Sequence, residues 1–100
     1  MRFGSPSGPR KVIAFALTGP IARGDLPELC ERICVLLERN ACDVAFCDVA
    51  GVQPDAVTVE ALATLQLAAR RRGCQIRLRQ ASADLLALVA FMGLRDVLSD

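Results

Sequence analysis

The sequence predicts one α/β domain, built from a small, mainly parallel sheet with alternating helices. Short apolar runs of strand length alternate with longer stretches in which apolar residues recur at helical spacing, in the order β-α-β-α-β-α. The chain has 100 residues, of which 53% are hydrophobic, and this suits one small domain with an efficient core. Strands that alternate with helices form a parallel sheet with right-handed crossovers.

The domain is predicted to span residues 10–100, after a loose tail of residues 1–9 that is rich in Gly, Ser and Pro. A fourth strand could come from Met1 to Ser7, although that stretch is a poor strand former. The first clear strand is an apolar run closed by Thr18, Gly19 and Pro20. Its apolar residues are Val12, Ile13, Phe15 and Leu17.

The first helix is predicted to begin with a capping box formed by Asp25 and Glu28, with Pro27 tolerated in the first turn. It is predicted to end near Asn40. Its apolar face comprises Leu26, Leu29, Cys30, Ile33, Leu36 and Leu37.

The central strand is a nearly continuous apolar run, which predicts a strand covered on both faces. Its residues are Val44, Ala45, Phe46, Cys47 and Val49. The second helix is predicted to stop at Gly73, a C-terminal cap. Its apolar residues are Val57, Val59, Leu62, Leu65, Leu67 and Ala69.

The third strand alternates, with Ile76 and Leu78 on one side and Arg77 and Arg79 on the other, so we expect it near a sheet edge. The third helix is predicted to run from an N-cap at Ser82 to a stop at Gly93. Its predicted apolar face is Leu85, Leu86, Leu88, Val89 and Met92, and the residues that pack after it are Leu94, Val97 and Leu98.

The charge and the aromatic content argue against nucleic-acid binding. The formal net charge is +1, Tyr and Trp are absent, and Phe occurs four times, so the chain offers neither a strong positive field nor a stacking platform. The cluster Arg70 to Arg72 is interpreted as solvating the end of the second helix. No apolar window reaches the roughly 18 residues of a membrane span. With no signal peptide in the sequence, we expect a cytoplasmic protein that does not insert into the membrane.

The five Cys residues are predicted to be reduced thiols that pack in the core. Their odd number argues against a disulfide framework, and neither a C-x-x-C pair nor any His is present to build a zinc or redox site. They are Cys30, Cys34, Cys42, Cys47 and Cys74. The sequence therefore predicts no metal and no cofactor.

Two further patterns resemble catalytic motifs without completing them. Gly19 and Gly24 have the spacing of a phosphate loop, but an Asp follows where that loop needs Lys. Asp43, Asp48 and Asp55 surround the central strand and could act as acid–base or magnesium groups. We favour instead that Asp43 starts the strand and that Asp48 and Asp55 bond loop amides. Because His is also absent, the sequence makes no positive case for an enzyme.

The stretch from Val12 to Leu98 resembles a STAS domain, the fold of bacterial anti-sigma factor antagonists. The resemblance rests on four segments in order: "LTG" after the first strand, "FCDVAGV", "VEALATLQLAARRRGCQIRL" and "ASADLLALVAFMGLRDVL". In that family the loop before the second helix usually reads Asp-Ser-Ser/Thr-Gly. An anti-sigma factor that is also a kinase phosphorylates the first Ser, and the unphosphorylated form binds the kinase and frees the sigma factor.

In this chain the loop reads Asp55-Ala56-Val57-Thr58, so the resemblance implies that the usual phosphorylation site is lost at Ala56. Thr58 could be a displaced acceptor, but a position on the exposed or capping side of the helix is favoured. The resemblance implies a non-enzymatic regulatory module that binds a protein partner, such as a kinase-type anti-sigma factor. The expected interface is the Gln53–Val59 loop and first turn together with Arg23 to Asp25; its residues by resemblance are Asp25, Gln53, Asp55, Ala56, Val57, Thr58 and Val59.

Two alternatives remain open at this point. The domain could be a STAS-type adaptor or scaffold subunit of a transporter ATPase or of a stress-signalling complex. It could also be a degenerate domain that binds a small ligand. The oligomeric state does not follow from the sequence.

Overall fold

A computed structural model describes residues 11–98 and confirms the predicted α/β class. A short 3-10 turn, Arg23–Asp25, precedes the first helix. The predicted tail and the optional strand from Met1 to Ser7 lie outside the described residues. Three strands and three helices alternate, namely β1 Val12–Thr18, α1 Leu26–Asn40, β2 Val44–Gly51, α2 Ala56–Arg71, β3 Gln75–Arg79 and α3 Ala83–Phe91.

The three strands form one parallel sheet in the order β1-β2-β3, which places β3 at an edge as predicted. The register aligns Ala45 of β2 with Ile13 on one side and Ile76 on the other. Two residues further along, Cys47 aligns with Phe15 and Leu78. Paired residues of parallel strands share a face, so all these side chains point to one side of the sheet.

The core lies between that side of the sheet and the three helices. The largest helical contributions come from Leu37 of α1, from Leu62 and Leu65 of α2, and from Leu85 of α3, all buried. The predicted apolar faces are therefore confirmed in their centre. They are wrong at two positions, because Leu67 is 51% exposed and Leu86 is 38% exposed. Each directly follows a buried residue in the sequence, Gln66 and Leu85 respectively, and this step turns its side chain away from the buried stripe of the helix.

The opposite face of the sheet is partly open among residues 11–98. The prediction that β2 is covered on both faces is confirmed at Val44, which is 8% exposed, and is wrong further along the strand, where Phe46 and Asp48 are half-buried. Val12 is 51% exposed, and the side chains of Arg77 and Arg79 are exposed. Phe46, the aromatic residue of β2 on this face, is half-buried, and the Arg79 guanidinium lies 4.0 Å from its ring centre. At this point an Arg side chain, and not a helix, packs on the aromatic ring.

The helix ends follow the predicted signals. Gly73 and Gly93 each adopt a φ of 75° just after α2 and α3, a left-handed conformation that Gly takes without steric cost. Ser82 caps α3 by accepting a hydrogen bond from the Leu85 N–H at 3.1 Å. At the end of α1, however, Ala41 adopts the left-handed conformation with a φ of 46°. A Cβ is unfavourable there.

One buried polar side chain covers the free edge of β3. Gln66 of α2 is 1% exposed, and its Oε1 accepts a hydrogen bond from the Ile76 N–H at 2.9 Å. Its Nε2 donates to the Ile76 carbonyl at 2.8 Å and to the Val97 carbonyl at 3.0 Å. The Gln66 amide thereby pairs both backbone groups of Ile76, as a neighbouring strand would, and covers the edge at that residue.

Candidate protein-binding surface

The candidate surface lies at the carboxyl edge of the sheet, where the loops after β1 and β2 meet. The Gly19 N–H donates a hydrogen bond to the Gly51 carbonyl at 2.9 Å. A Cβ on Gly19 would lie 3.2 Å from the Gln53 nitrogen and 3.3 Å from the Val52 Cα, so Gly permits this close approach of two backbones. The two loops therefore form one continuous surface.

Asp55 organises the end of the β2 loop and the start of α2. It is the N-cap residue, and its Oδ1 accepts a hydrogen bond from the Thr58 N–H at 2.8 Å. That bond lowers the pKa of Asp55, and the adjacent Thr58 hydroxyl acts in the same direction although it makes no well-formed hydrogen bond. Asp55 thus satisfies a free amide of the first turn and holds the loop rigidly against the helix.

Ala56 is the first residue of α2 and its side chain is exposed. Gln53 and Pro54, just before the cap, are exposed as well, while Val57 is half-buried. The structure therefore brings Gln53, Asp55 and Ala56 together on one accessible patch. A methyl group stands at its centre, at the end of a helix where free N–H groups favour negative charge.

Two of the predicted surface residues are buried. Val59 is 0% exposed and packs in the core, so it is unavailable to a partner unless the helix opens. Thr58 is also 0% exposed, and the expectation of an exposed or capping side chain is wrong. Its Oγ1 has no hydrogen-bond partner among residues 11–98. The cause is geometric: in the first turn of α2 these positions face the sheet, and Asp55 already performs the cap.

Asp25 belongs to the same edge but plays a different part from the predicted one. The capping box with Glu28 is wrong, because Asp25 is already helical at a φ of −87° and a ψ of −13° and its side chain caps no amide of α1. Its Oδ2 instead accepts from the Ala22 N–H at 3.3 Å, and its own N–H donates to the Ala22 carbonyl at 2.9 Å. The carboxylate closes the 3-10 turn that precedes the helix.

An ion pair joins that turn to α2. Arg23 Nη1 lies 2.7 Å from Glu60 Oε1, with 66% and 36% of the two side chains exposed. Glu60 was not among the residues predicted for the surface, because nothing local relates two positions 37 residues apart. The pair links the two segments at the surface and, because both side chains are exposed, contributes little to stability.

An open groove of about 310 Å³ adjoins this surface, between the end of β1 and the first turns of α1. Its apolar floor includes Leu17 and Ile21, and its rim carries Asp25, Glu28 and Arg32. The groove mixes an apolar floor with charges of both signs, as a protein contact surface does.

The other candidate groups have structural partners. Asp48 accepts from the Ala50 N–H at 2.9 Å, which confirms its predicted bond to a loop amide. Asp43 lies directly before β2, and its carboxylate accepts from the Lys11 N–H at 3.0 Å. Within residues 11–98, no group of three or more His, Cys, Asp or Glu side chains is placed to hold a metal ion. Cys42, Cys47 and Cys74 are buried in the core, as predicted, while Cys30 and Cys34 are half-buried on α1.

The chain matches no protein-family model and no curated protein. The resemblance to STAS domains therefore stays a prediction. No helix within residues 11–98 has both the length and the apolar character that crossing a membrane requires.

Proposed function

We propose that the protein is a non-enzymatic regulatory module that binds a protein partner in the manner of an anti-sigma factor antagonist, in the cytoplasm and without a cofactor. The observation that carries this proposal is the exposed methyl group of Ala56 at the first position of α2. By resemblance, that position belongs to a Ser whose phosphorylation ends partner binding. In this chain it has no oxygen to modify.

The surroundings of Ala56 support a contact surface rather than a catalytic site. The flanking loop is held by the Asp55 cap and by the Gly19–Gly51 hydrogen bond, so it is already ordered before a partner arrives. The Asp25 and Asp55 carboxylates are engaged with backbone amides. A partner that docks over Ala56 meets a small apolar centre with a polar rim, and no phosphate can break the contact.

The partner that the resemblance implies is a kinase-type anti-sigma factor. Binding would then be constitutive and controlled by the amounts of the two proteins, since the usual switch residue is missing. Thr58 does not replace it, because a hydroxyl that is 0% exposed is inaccessible to a kinase while the helix is folded.

The direct test replaces the methyl with a charge. Ala56→Glu should leave the fold intact, and even stabilise it by about 0.3–1 kcal/mol, because a carboxylate at a helix N-terminus is favourable. It should weaken partner binding roughly tenfold or more through charge and bulk at the contact. Thr64→Glu is the matched control, since it adds the same charge at an exposed position further along α2. Equal binding by wild type and both variants would rule out this surface.

The partner itself can be identified by affinity capture of the tagged protein from its host lysate, with ADP and with ATP. Recovery of a kinase-type anti-sigma factor, lost with Ala56→Glu and kept with Thr64→Glu, would support the proposal. With that kinase in hand, Ala56→Ser should become a phosphate acceptor while the wild type stays unlabelled. Thr58 should be left unchanged in this experiment, because Thr58→Gly would open a cavity in the core.

A second candidate function is a STAS-type adaptor in a larger assembly, such as a transporter ATPase or a stress-signalling complex. The observation that favours it is the apolar outer face of α3, where Phe91 is 87% exposed and Leu86 is 38% exposed. Exposed apolar groups of this kind mark surfaces that associate with other proteins. Recovery of such an assembly regardless of nucleotide, with Ala56→Glu having no effect, would favour the adaptor over the antagonist.

A further inference from the structure

Two buried thiols face each other at the amino edge of the sheet. Cys42 and Cys74 are 5% and 3% exposed, and their Sγ atoms lie 2.8 Å apart. Among residues 11–98, Cys42 and Cys74 are the one pair of thiols within hydrogen-bonding distance of each other. Packing alone requires no such juxtaposition, since an apolar side chain at either position would fill the same space.

The backbone around the two residues suits a covalent bond between them. Cys42 lies two residues before β2, and Cys74 lies directly before β3, the neighbouring strand. The Gln75 N–H donates to the Asp43 carbonyl at 3.0 Å, so the two chains are already joined beside the thiols. Continuing the register of Val44 with Gln75 places Cys42 and Cys74 one residue out of step. With strands about 4.8 Å apart and a rise of about 3.3 Å per residue, this offset still lies inside the range of Cα separations that disulfides span.

We propose that Cys42 and Cys74 form a modification site, which a peroxide-class oxidant converts into an intramolecular disulfide. In the first step one sulfur, as its thiolate, attacks a peroxide oxygen. The O–O bond breaks, and the leaving hydroxide takes up the thiol proton as water. In the second step the other sulfur attacks the resulting sulfenic acid, the S–O bond breaks, and a second water leaves with the second thiol proton. The two thiols lose two electrons and hydrogen peroxide is reduced to two molecules of water.

The disulfide should form slowly and, once formed, should resist reduction. Burial, followed by the contact with Cys42, raises the pKa of Cys74 to about 12, so the reactive thiolate is scarce at neutral pH. The reaction therefore accelerates at higher pH. Once formed, the bond is shielded by the same burial from thiol reductants.

The bond would stabilise the domain without altering the proposed binding surface. It links positions 32 residues apart and restricts the unfolded chain over the segment that contains β2 and α2. It lies at the amino ends of the strands, whereas Ala56 lies beyond their carboxyl ends. The proposal thus stands independently of the proposed function.

The test treats the full chain with hydrogen peroxide and then alkylates the remaining thiols after unfolding. The wild type is compared with Cys30→Ala/Cys34→Ala, which removes the two half-buried thiols on α1. Before alkylation we expect in both proteins a mass lower by two hydrogens. After alkylation we expect a non-reducing peptide map that links Cys42 to Cys74. We also expect a Tm higher by roughly 10 °C that dithiothreitol reverses.

The matched control is Cys42→Ala in the same double-alanine background, which should form no intramolecular disulfide. Should this control fail to fold, the peptide map of the double-alanine protein still decides the pairing. Full alkylation of both thiols after peroxide, oxidation that stops at sulfinic acid, or a bridge that uses Cys47 would each overturn the proposal.

Discussion

Replacing Gln66 with Leu tests whether its buried amide holds the edge of the sheet. The side chain makes three hydrogen bonds, at 2.9, 2.8 and 3.0 Å, to the two backbone groups of Ile76 and to the Val97 carbonyl. Leu is close to Gln in size and can occupy the same volume. The substitution therefore removes hydrogen bonds without opening a large cavity.

The magnitude follows from what is left unpaired. The Ile76 N–H and carbonyl are both buried, and each costs about 1–3 kcal/mol without a partner. Val97 is half-buried, so its carbonyl adds less to the cost than the two groups of Ile76. Burial of the Leu side chain offsets about 1–2 kcal/mol of this cost. We expect a net loss of about 1–4 kcal/mol in the free energy of unfolding, and a Tm lower by roughly 5–25 °C.

Thermal and urea unfolding followed by circular dichroism give this number, since the chain has no Trp for fluorescence. Gln75→Leu is the matched control, because it makes the same exchange at an exposed position next to Ile76 and should change stability by less than about 0.5 kcal/mol. If Gln66→Leu is as stable as this control, the amide does not hold the edge.

Gln66→Glu separates the hydrogen bonds from the packing. An ionised Glu would face the Ile76 and Val97 carbonyls, which repel it, whereas a protonated Glu can still donate to one of them. Burial then raises the pKa of this Glu in the folded state, so its favourable contribution is complete below the unfolded pKa of about 4.3. That contribution is lost as the pH rises through the folded pKa. The variant should approach wild-type stability in acid and fall away towards neutral pH, whereas Gln66→Leu should show no such trend.

Three further substitutions test the caps and the loop contact. The Thr58 N–H lowers the pKa of Asp55. The loss of stability in Asp55→Ala should therefore be largest at neutral pH and should shrink as the pH falls through the folded pKa of Asp55. Urea unfolding at several pH values measures this trend. Ala41→Gly should raise the free energy of unfolding by about 1 kcal/mol in thermal melts, because Gly carries no penalty at a φ of 46°. Gly19→Ala should lower the free energy of unfolding by about 1–2 kcal/mol, because the new Cβ would lie 3.2 Å from the Gln53 backbone nitrogen. The substitution should also shift the amide NMR signal of Gln53, and an unshifted signal would contradict this contact.

Local patterns were sufficient for most of the fold. Alternation in β3 predicted both its buried face and its position at an edge, because period-two patterns depend only on neighbouring residues. Gly73 and Gly93 predicted helix ends for the same reason, as each supplies the conformation that a C-terminal cap requires. Asp55 was correctly expected to bond a nearby amide, a contact only three residues long.

The errors come from features that depend on the tertiary arrangement. The outer edges of the apolar faces, such as Leu67, depend on where the other helices stop covering a residue. Gln66 lies on the buried stripe of α2, but a search for hydrophobic residues does not find it because its side chain is polar. Its amide is hydrogen-bonded at the edge of β3, which the sequence does not place beside it. The Arg23–Glu60 pair joins two segments that no local spacing relates.

Under the proposed function Ala56 replaces a regulatory hydroxyl, and its position explains why such a replacement would leave the fold intact. The cap of α2 depends on Asp55, whose carboxylate bonds the Thr58 amide, so a side-chain oxygen at residue 56 is not needed to begin the helix. The loop position depends on Gly19 and Gly51, which contact each other through the backbone. An exposed residue that contributes to neither can change without a large cost in stability. Under the proposed function, selection on this position would act through the proposed partner. Ala56→Ser should therefore melt close to the wild type whatever it does to binding.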